Sequence, residues 1–236
     1  MYKAYYTCNN GVYFEYNNTG IFIDGIFDGL LFGFSATSDN VLKACQTRSG
    51  VFKDLSALLF THTHEDHFCE KEVSEFTELS RLPLYAPGYI KNTLKPYAHF
   101  NRTSCFKVND FDIISVKTHH DGDARINGVA HESFIINTAE DSIFFAGDAV
   151  FSYNDLAEIK NRISNRLTAA FINPSHIIER TNLDFLKELD PLNIYMIHRP
   201  LPADDNYNVS ALLKQALKDY PDELPSPVIP QYNSWI

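Results

Sequence analysis

Between residues 55 and 80 the chain passes from an apolar run, through a bend crowded with metal-ligating side chains, into an acidic, helix-favouring stretch. Leu55 to Phe60 is short and almost wholly apolar, the composition of a strand covered on both faces. Thr61-His62-Thr63-His64-Glu65-Asp66-His67 follows at once, and Glu70 to Leu79 reads as a helix. The His-x-His-x-Asp-His cluster is therefore expected on a strand-to-helix loop. A solvated polar loop is the competing reading, and the setting weighs against it.

Imidazole and carboxylate are ligand types that suit zinc and related cations. In extended backbone alternate residues project to one side, so His62 and His64 can reach one cation. Asp66 and His67 fall after the bend and can address a second, as in two-metal hydrolases whose cations stand about 3.5–4 Å apart. Four ligands do not fill two sites, so others must come from distant strand ends. Three candidates end predicted strands: His120, Asp148 and His198, with Gly147 beside Asp148 permitting close backbone approach.

The remaining pattern is one of strands, then helix, then strands and helix again. Tyr2 to Cys8, Val12 to Tyr16 and the run ending Ile21-Phe22-Ile23-Asp24-Gly25 read as strands parted by Asn/Gly turns, with Asp24 at a strand end. A helix is expected over Ser38 to Gln46, capped by Ser38 or Asp39. Further strands are expected at Pro83 to Pro87, Asp110 to Thr118, Ser133 to Asn137, Ser142 to Phe145 and Asn193 to Ile197, with a strand-like run before Asn173. Helices are expected at 89–94, 155–166, 182–188 and 209–218, and an irregular tail from about 221. No repeat or linker divides the 236 residues, so one domain of two packed sheets with helices outside, an αββα sandwich of α+β class, is the simplest account.

Composition narrows the function. Hydrophobic residues at 44% suffice for a continuous core, and no run approaches the roughly 18–20 apolar residues that span a bilayer. The N-terminal residues lack a signal peptide's apolar segment, so a cytoplasmic location is expected, without membrane attachment. A net charge of −10 disfavours polymeric nucleic acid and leaves a small-molecule substrate. The four scattered Cys are read as thiols. Cys69 alone lies near the cluster, more as a small buried residue than as a ligand. Of the other histidines, His99, His131 and His176 could reach substrate, with His131 and His176 the better placed. Arg125 and Arg199 could pair with an anionic substrate, a surface salt bridge being the competing role.

Taken together, His62-Thr63-His64-Glu65-Asp66-His67, a later strand-end His, Phe144-Phe145-Ala146-Gly147-Asp148 and Tyr195-Met196-Ile197-His198 resemble the metallo-β-lactamase superfamily over nearly the whole chain. The resemblance implies a four-layer αββα fold and two divalent metal ions, zinc first, with Mn or Fe also suited. It implies that His62, His64 and His120 hold one metal, that Asp66, His67 and His198 hold the other, and that Asp148 bridges them. Asp24 would support a ligand from behind. His120 is preferred to His119 because Asp110-Phe111-Asp112-Ile113 sets the family's register for that strand. The implied activity is hydrolysis of a small ester, lactone or phosphodiester by metal-activated water, with Asp66 or Asp148 taking the proton. The strand-end pattern is most similar to the ascorbate-6-phosphate lactonase-like branch. A nuclease or phosphodiesterase, and a non-catalytic metal-binding relative, are the alternatives. Iron oxygen-reductase members usually carry an acid where this chain has His64. Substrate, metal identity, oligomeric state and the role of residues 25–54 stay open.

Overall fold

The computed structural model describes residues 1–28, 34–87, 105–122, 128–178, 180–220, 222 and 224–236. The helix expected over 89–94, and the candidates His99 and Arg125, lie outside these residues. The first half contains β1 (Lys3–Tyr6), β2 (Val12–Tyr16), β3 (Thr19–Ile23), α1 (Asp39–Gln46), β4 (Leu55–Leu59), α2 (Glu70–Ser80) and β5 (Leu84–Tyr85). The second half begins with β6 (Cys105–Val108), β7 (Phe111–His120), β8 (His131–Asn137), β9 (Ser142–Phe145), β10 (Ala149–Val150) and α3 (Tyr153–Arg162). It continues with β11 (Leu167–Ile172), α4 (Ser175–Ile178), α5 (Arg180–Leu189), β12 (Ile194–Met196), α6 (Val209–Ala216) and β13 (Ser234–Trp235).

Local chemistry sets the first sheet. Asn17 and Asn18 both take positive φ, 48° and 58°, which is what a two-residue turn between twisted strands requires, and they join β2 to β3 in register Val12↔Ile23 through Tyr16↔Thr19. The Ser38 side chain caps α1 by accepting from Val41 N. The sheet runs β13-β1-β2-β3-β4-β5, antiparallel up to β3 and parallel from β3 to β5.

The second sheet runs β10-β7-β8-β9-β11-β12, with β6 on β7. β8 runs antiparallel to both β7 and β9, and β9, β11 and β12 are parallel, so β7, β9, β11 and β12 all point the same way. Their C-terminal ends share one edge. Between the sheets lies a core that includes Phe14, Ile21, Leu59, Phe134, Phe145 and Phe171. Two outer cores complete the αββα order: Phe52, Leu58, Val73 and Phe76 under α1 and α2, and Ile135, Phe144, Ile159, Leu186 and Leu213 under α3, α5 and α6.

Two expectations need correction, and three short strands lie outside what the sequence pattern indicates. The helix read as 155–166 is shifted: a reciprocal Ser152/Asp155 capping box starts it at Tyr153, and it ends at Arg162, leaving Leu167 to enter β11. The tail is not wholly irregular, since Val228 bridges to Tyr195 and β13 pairs with β1, covering that sheet edge. The edge strands β6, β10 and β13 were not foreseen, because runs of two to four residues carry no readable periodicity.

Candidate metal centre

The shared C-terminal edge explains how residues far apart in sequence meet. β3 and β4 deliver Asp24 and the Thr61–His67 loop from the first sheet. β7, β9, β11 and β12 deliver His120, Asp148, Asn173 and His198 from the second. A backbone bond from Glu132 N to Thr61 O, 2.9 Å, ties the two sheets together at this point. Asn9, Asp24 and His198 take positive φ of 45°, 47° and 53° there. Such conformations cost of order 1–3 kcal/mol each and persist where surrounding structure enforces them. His198 N is held on Asn9 O at 2.5 Å.

Seven side chains converge in two groups whose candidate ligand atoms lie within 4.8 Å of one another: His62, His64 and His120, and Asp66, His67, Asp148 and His198. In the first, His62 Nε2 faces His120 Nε2 at 3.2 Å. In the second, His67 Nε2 faces His198 Nε2 at 3.0 Å, and Asp66 Oδ2 lies 3.3 Å from His198 Nε2. Asp148 Oδ2 stands between the groups, 3.3 Å from His67 Nε2, 3.4 Å from His198 Nε2 and 3.8 Å from His120 Nε2. His119 is exposed on the opposite face of β7, so His120 is the residue of that pair that joins the cluster.

Hydrogen bonds behind the rings decide which nitrogen faces inward with a lone pair. His67 Nδ1 meets the Asp24 carboxylate at 2.9 Å, and His120 Nδ1 meets the Asp121 carbonyl; both partners accept only, so both Nδ1 atoms carry a hydrogen. The Thr61 hydroxyl donates to Asp24 Oδ2 at 2.6 Å, which leaves its oxygen to accept from His62 Nδ1 at 3.0 Å. In the neutral rings each of these Nε2 atoms therefore presents a lone pair to the common space. Paired lone pairs 3.0–3.2 Å apart repel unless a proton or cation lies between them. Tetrahedral coordination at the usual zinc–nitrogen distance of about 2.0–2.1 Å spaces ligand atoms about 3.3 Å apart. The separations found, 3.0–3.4 Å among the closest inward atoms, suit that donor set.

Electrostatics distinguish the groups. Burial pushes the His62 and His64 imidazoles down, with neighbouring histidines adding to it, so both stay neutral. Burial also opposes charge on His67 and His198. Around His67 the carboxylates of Asp148, Asp66 and Asp24 outweigh it and hold the ring well above its ordinary range, and Asp148 and Asp66 push His198 up to about 9. For Asp148 and Asp66 burial is the largest influence and raises the pKa, but the facing imidazoles prevail and hold both below the ordinary range. The second group is thus built for positive charge.

Asp24 is fully buried and accepts from Thr61 N at 2.7 Å, Thr61 Oγ1, His67 Nδ1 and, at 3.1 Å, Asn10 Nδ2. It orients a ring and its loop together. The described residues read as able to reach substrate, His131, His176 and Arg199, are not among those that line the cleft beside the cluster. His131 is buried beneath the turn, contacting Thr118 Oγ1 at 2.7 Å through Nδ1 and accepting from Asp148 N at 3.0 Å through Nε2. Burial depresses it to about 3, consistent with an acceptor that stays neutral. His176 is fully buried against Phe151 and bonds Asn173 Oδ1 at 2.8 Å. Arg199 turns away from the centre, donating to Met196 O and Pro230 O and lying over Tyr6 and Tyr232, where it fastens the C-terminal segment. Cys69 precedes α2 with its thiol 3.7 Å from Asp28 Oδ2, outside both groups.

Sequence reading missed Asn173. Its amide nitrogen lies 3.3 Å from Asp148 Oδ1, while its oxygen accepts from Ser175 Oγ at 2.6 Å and faces His176 Nδ1. The signal was its place at the end of a strand parallel to β9, the strand that precedes Asp148. Gly147, at φ 60°, is needed for close approach: a Cβ there would lie 2.7 Å from His131 Nε2 and 2.9 Å from Thr61 Cβ.

The layers, the strand order and the site at the shared edge define a metallo-β-lactamase fold bearing a His/Asp cluster able to hold metal. The chain is similar in structure to the metallo-β-lactamase fold protein YhfI of Bacillus subtilis, with 12% identity, TM-score 0.67, and coverage of 100% of this chain and 98% of that one. It is similar to the isothiocyanate hydrolase of Delia radicum gut bacteria, at 15% identity, TM-score 0.67 and the same coverages. It also covers 54% of CmlA, a diiron β-hydroxylase of Streptomyces venezuelae, which covers 100% of this chain at 14% identity and TM-score 0.66. No family model matches the sequence, and no curated protein matches it. Among the described residues no helix is long and apolar enough to cross a membrane.

Proposed function

We propose that this chain is a metal-dependent hydrolase in which His62, His64 and His120 hold one divalent cation and Asp66, His67 and His198 a second, with Asp148 between them. The observation that carries this reading is the convergence of inward nitrogens on shared space, with His62, His67 and His120 held in the ligating tautomer from behind. Bound cations would supply an activated water and charge stabilisation for a developing oxyanion. The chain's own residues do the rest. Asp24 and Thr61 orient His67 and His62, Asn173 holds the Asp148 carboxylate, and Asp66 and Asp148 are the carboxylates placed to accept the proton of the attacking water.

The substrate class is a small ester, lactone or phosphodiester. The net charge of −10 supports a small molecule over polymeric nucleic acid. The ascorbate-6-phosphate lactonase-like assignment has little support from the cleft beside the cluster, where no Lys or Arg is found among the described lining residues to meet a phosphate. All four Cys stand as free thiols, which supports the reducing cytoplasm as the working compartment. Zinc is taken first, although a His/Asp donor set of this kind suits Mn and Fe about equally well.

The test is metal analysis of protein purified without chelator, followed by assays of the reconstituted protein against an ester, a lactone, a thioester, a phosphodiester and an isothiocyanate, with Asp66→Ala as control. Two metal equivalents and turnover at least a hundredfold above the control are expected. Absence of bound metal, or activity equal to the control throughout, overturns the proposal and favours a non-catalytic relative.

A further inference from the structure

Beside the cluster opens a cleft of about 460 Å³ whose floor includes His120, Asp148 and His198. Its walls are unlike its floor. Phe34, Pro174, Ile178, Val209 and Leu212 line them, from three separate segments of the chain. Val209 and Leu212 lie three residues apart on α6, on the stripe beside the one that sends Leu213 into the core. Leu212 is 51% exposed and Ile178 37%. A single exposed leucine is ordinary, but these side chains share one cleft with the candidate ligands, and the Phe34 ring meets the His198 ring edge-on at 4.7 Å. The charged side chains among the described lining residues, apart from histidine, are Asp121 and Asp148, both acidic.

The geometry points to a substrate that carries an aliphatic chain: a neutral carboxylic ester or lactone whose acyl chain lies along the Phe34–Ile178–Val209–Leu212 wall, with its carbonyl carbon over His120, Asp148 and His198. This rests on the hydrolase reading and narrows it. Water adds to the acyl carbon, the acyl–oxygen bond breaks, the alcohol leaves with one proton, and the acid departs as carboxylate with release of the other. Apolar contact discriminates by size and not by direction, so affinity should rise with each methylene until the wall is filled. An anionic phosphoryl substituent on the same chain would instead face acidic groups.

The test uses metal-reconstituted protein with the acetyl, butyryl, hexanoyl and octanoyl esters of p-nitrophenol, beside bis-p-nitrophenyl phosphate. The expected result is a rise in kcat/KM of about threefold to fourfold per methylene between acetyl and hexanoyl. Leu212→Ser and Ile178→Ser should cut that gain to below twofold per methylene. Leu79→Ser, at a still more exposed leucine (71%) near the far end of α2 from the loop, should leave it intact. Hydrolysis that is indifferent to chain length, or preferred on the phosphodiester, leaves the hydrolase reading standing and overturns the acyl-chain proposal. If no ester is turned over, binding decides: sodium octanoate titrated calorimetrically into the reconstituted protein must bind at least tenfold tighter than acetate, and Leu212→Ser must abolish the difference. Equal affinities overturn the proposal.

Discussion

Replacing Asp24 by Asn tests whether the hydrogen bonds behind the cluster decide its chemistry. Asp24 Oδ1 accepts from Thr61 N at 2.7 Å, and Oδ2 accepts from Thr61 Oγ1 at 2.6 Å, His67 Nδ1 at 2.9 Å and Asn10 Nδ2 at 3.1 Å. An Asn side chain keeps the first of these and turns an amide NH2 toward the other three. The Thr61 hydroxyl can rotate to accept, but Asn10 Nδ2 loses its acceptor at 3.1 Å and keeps only its 3.3 Å approach to His67 Nδ1, a weakening of a buried donor worth up to about 1–3 kcal/mol. His67 can answer the new donor only by moving its hydrogen from Nδ1 to Nε2, where it points at His198, Asp66 and Asp148. That hydrogen occupies the lone pair a cation would take. Losing such support typically weakens metal binding about 10–100-fold, or about 1.4–2.8 kcal/mol. Chelator-competition titration of zinc, with stoichiometry from metal analysis and folding checked by circular dichroism, reads this directly. A folded Asp24→Asn protein that binds two equivalents with wild-type affinity would refute the argument that Asp24 sets the His67 tautomer.

Three other perturbations follow from the same geometry. Gly147→Ala sets a Cβ 2.7 Å from His131 Nε2 at a φ of 60°, so strain and clash together should cost about 3 kcal/mol and lower the melting temperature by about 6–12 °C by calorimetry. His176 is held down to about 4 by burial against 6.5 when unfolded, so its contribution is present in full above 6.5 and is lost as pH falls through 4, to the extent of about 3 kcal/mol. In denaturant titrations of chelated protein, His176→Asn should flatten that acid limb relative to wild type, and an unchanged slope would count against it. Asn173→Ala frees Asp148 Oδ1 and should lower kcat about tenfold on the best ester with a smaller change in KM; a loss confined to KM would place Asn173 in substrate binding instead.

Much of the site was legible because its largest part is local. His62, His64, Asp66 and His67 lie within six residues, and a strand followed by a bend imposes their relation to one another. His120, Asp148 and His198 could be named as strand-end residues, since functional groups gather where pleated backbone stops. Their companions could not be sorted in the same way. His131 also marks a strand end, as the first residue of β8, yet that strand runs opposite to its neighbours. Its ring lies under Asp148, supporting the turn. Arg199 adjoins a ligand in sequence, but the left-handed backbone at His198 turns the next side chain back over Tyr6 and Tyr232.

By itself the amino-acid order determined the layered strand and helix pattern and the His62-x-His64-x-Asp66-His67 cluster, because hydrophobic periodicity and ligand spacing are properties of neighbouring residues, while the choice of His120 over His119 came from the family resemblance. What only the tertiary structure decided was which groups stand behind those side chains and what opens in front of them. Asp24 meets Thr61, Asn173 meets Asp148, and Phe34 and Leu212 line one cleft across gaps of tens to hundreds of residues. Hydrogen-bond direction, tautomer and wall polarity depend on distances set when two sheets close on a shared edge, and no local pattern encodes such distances.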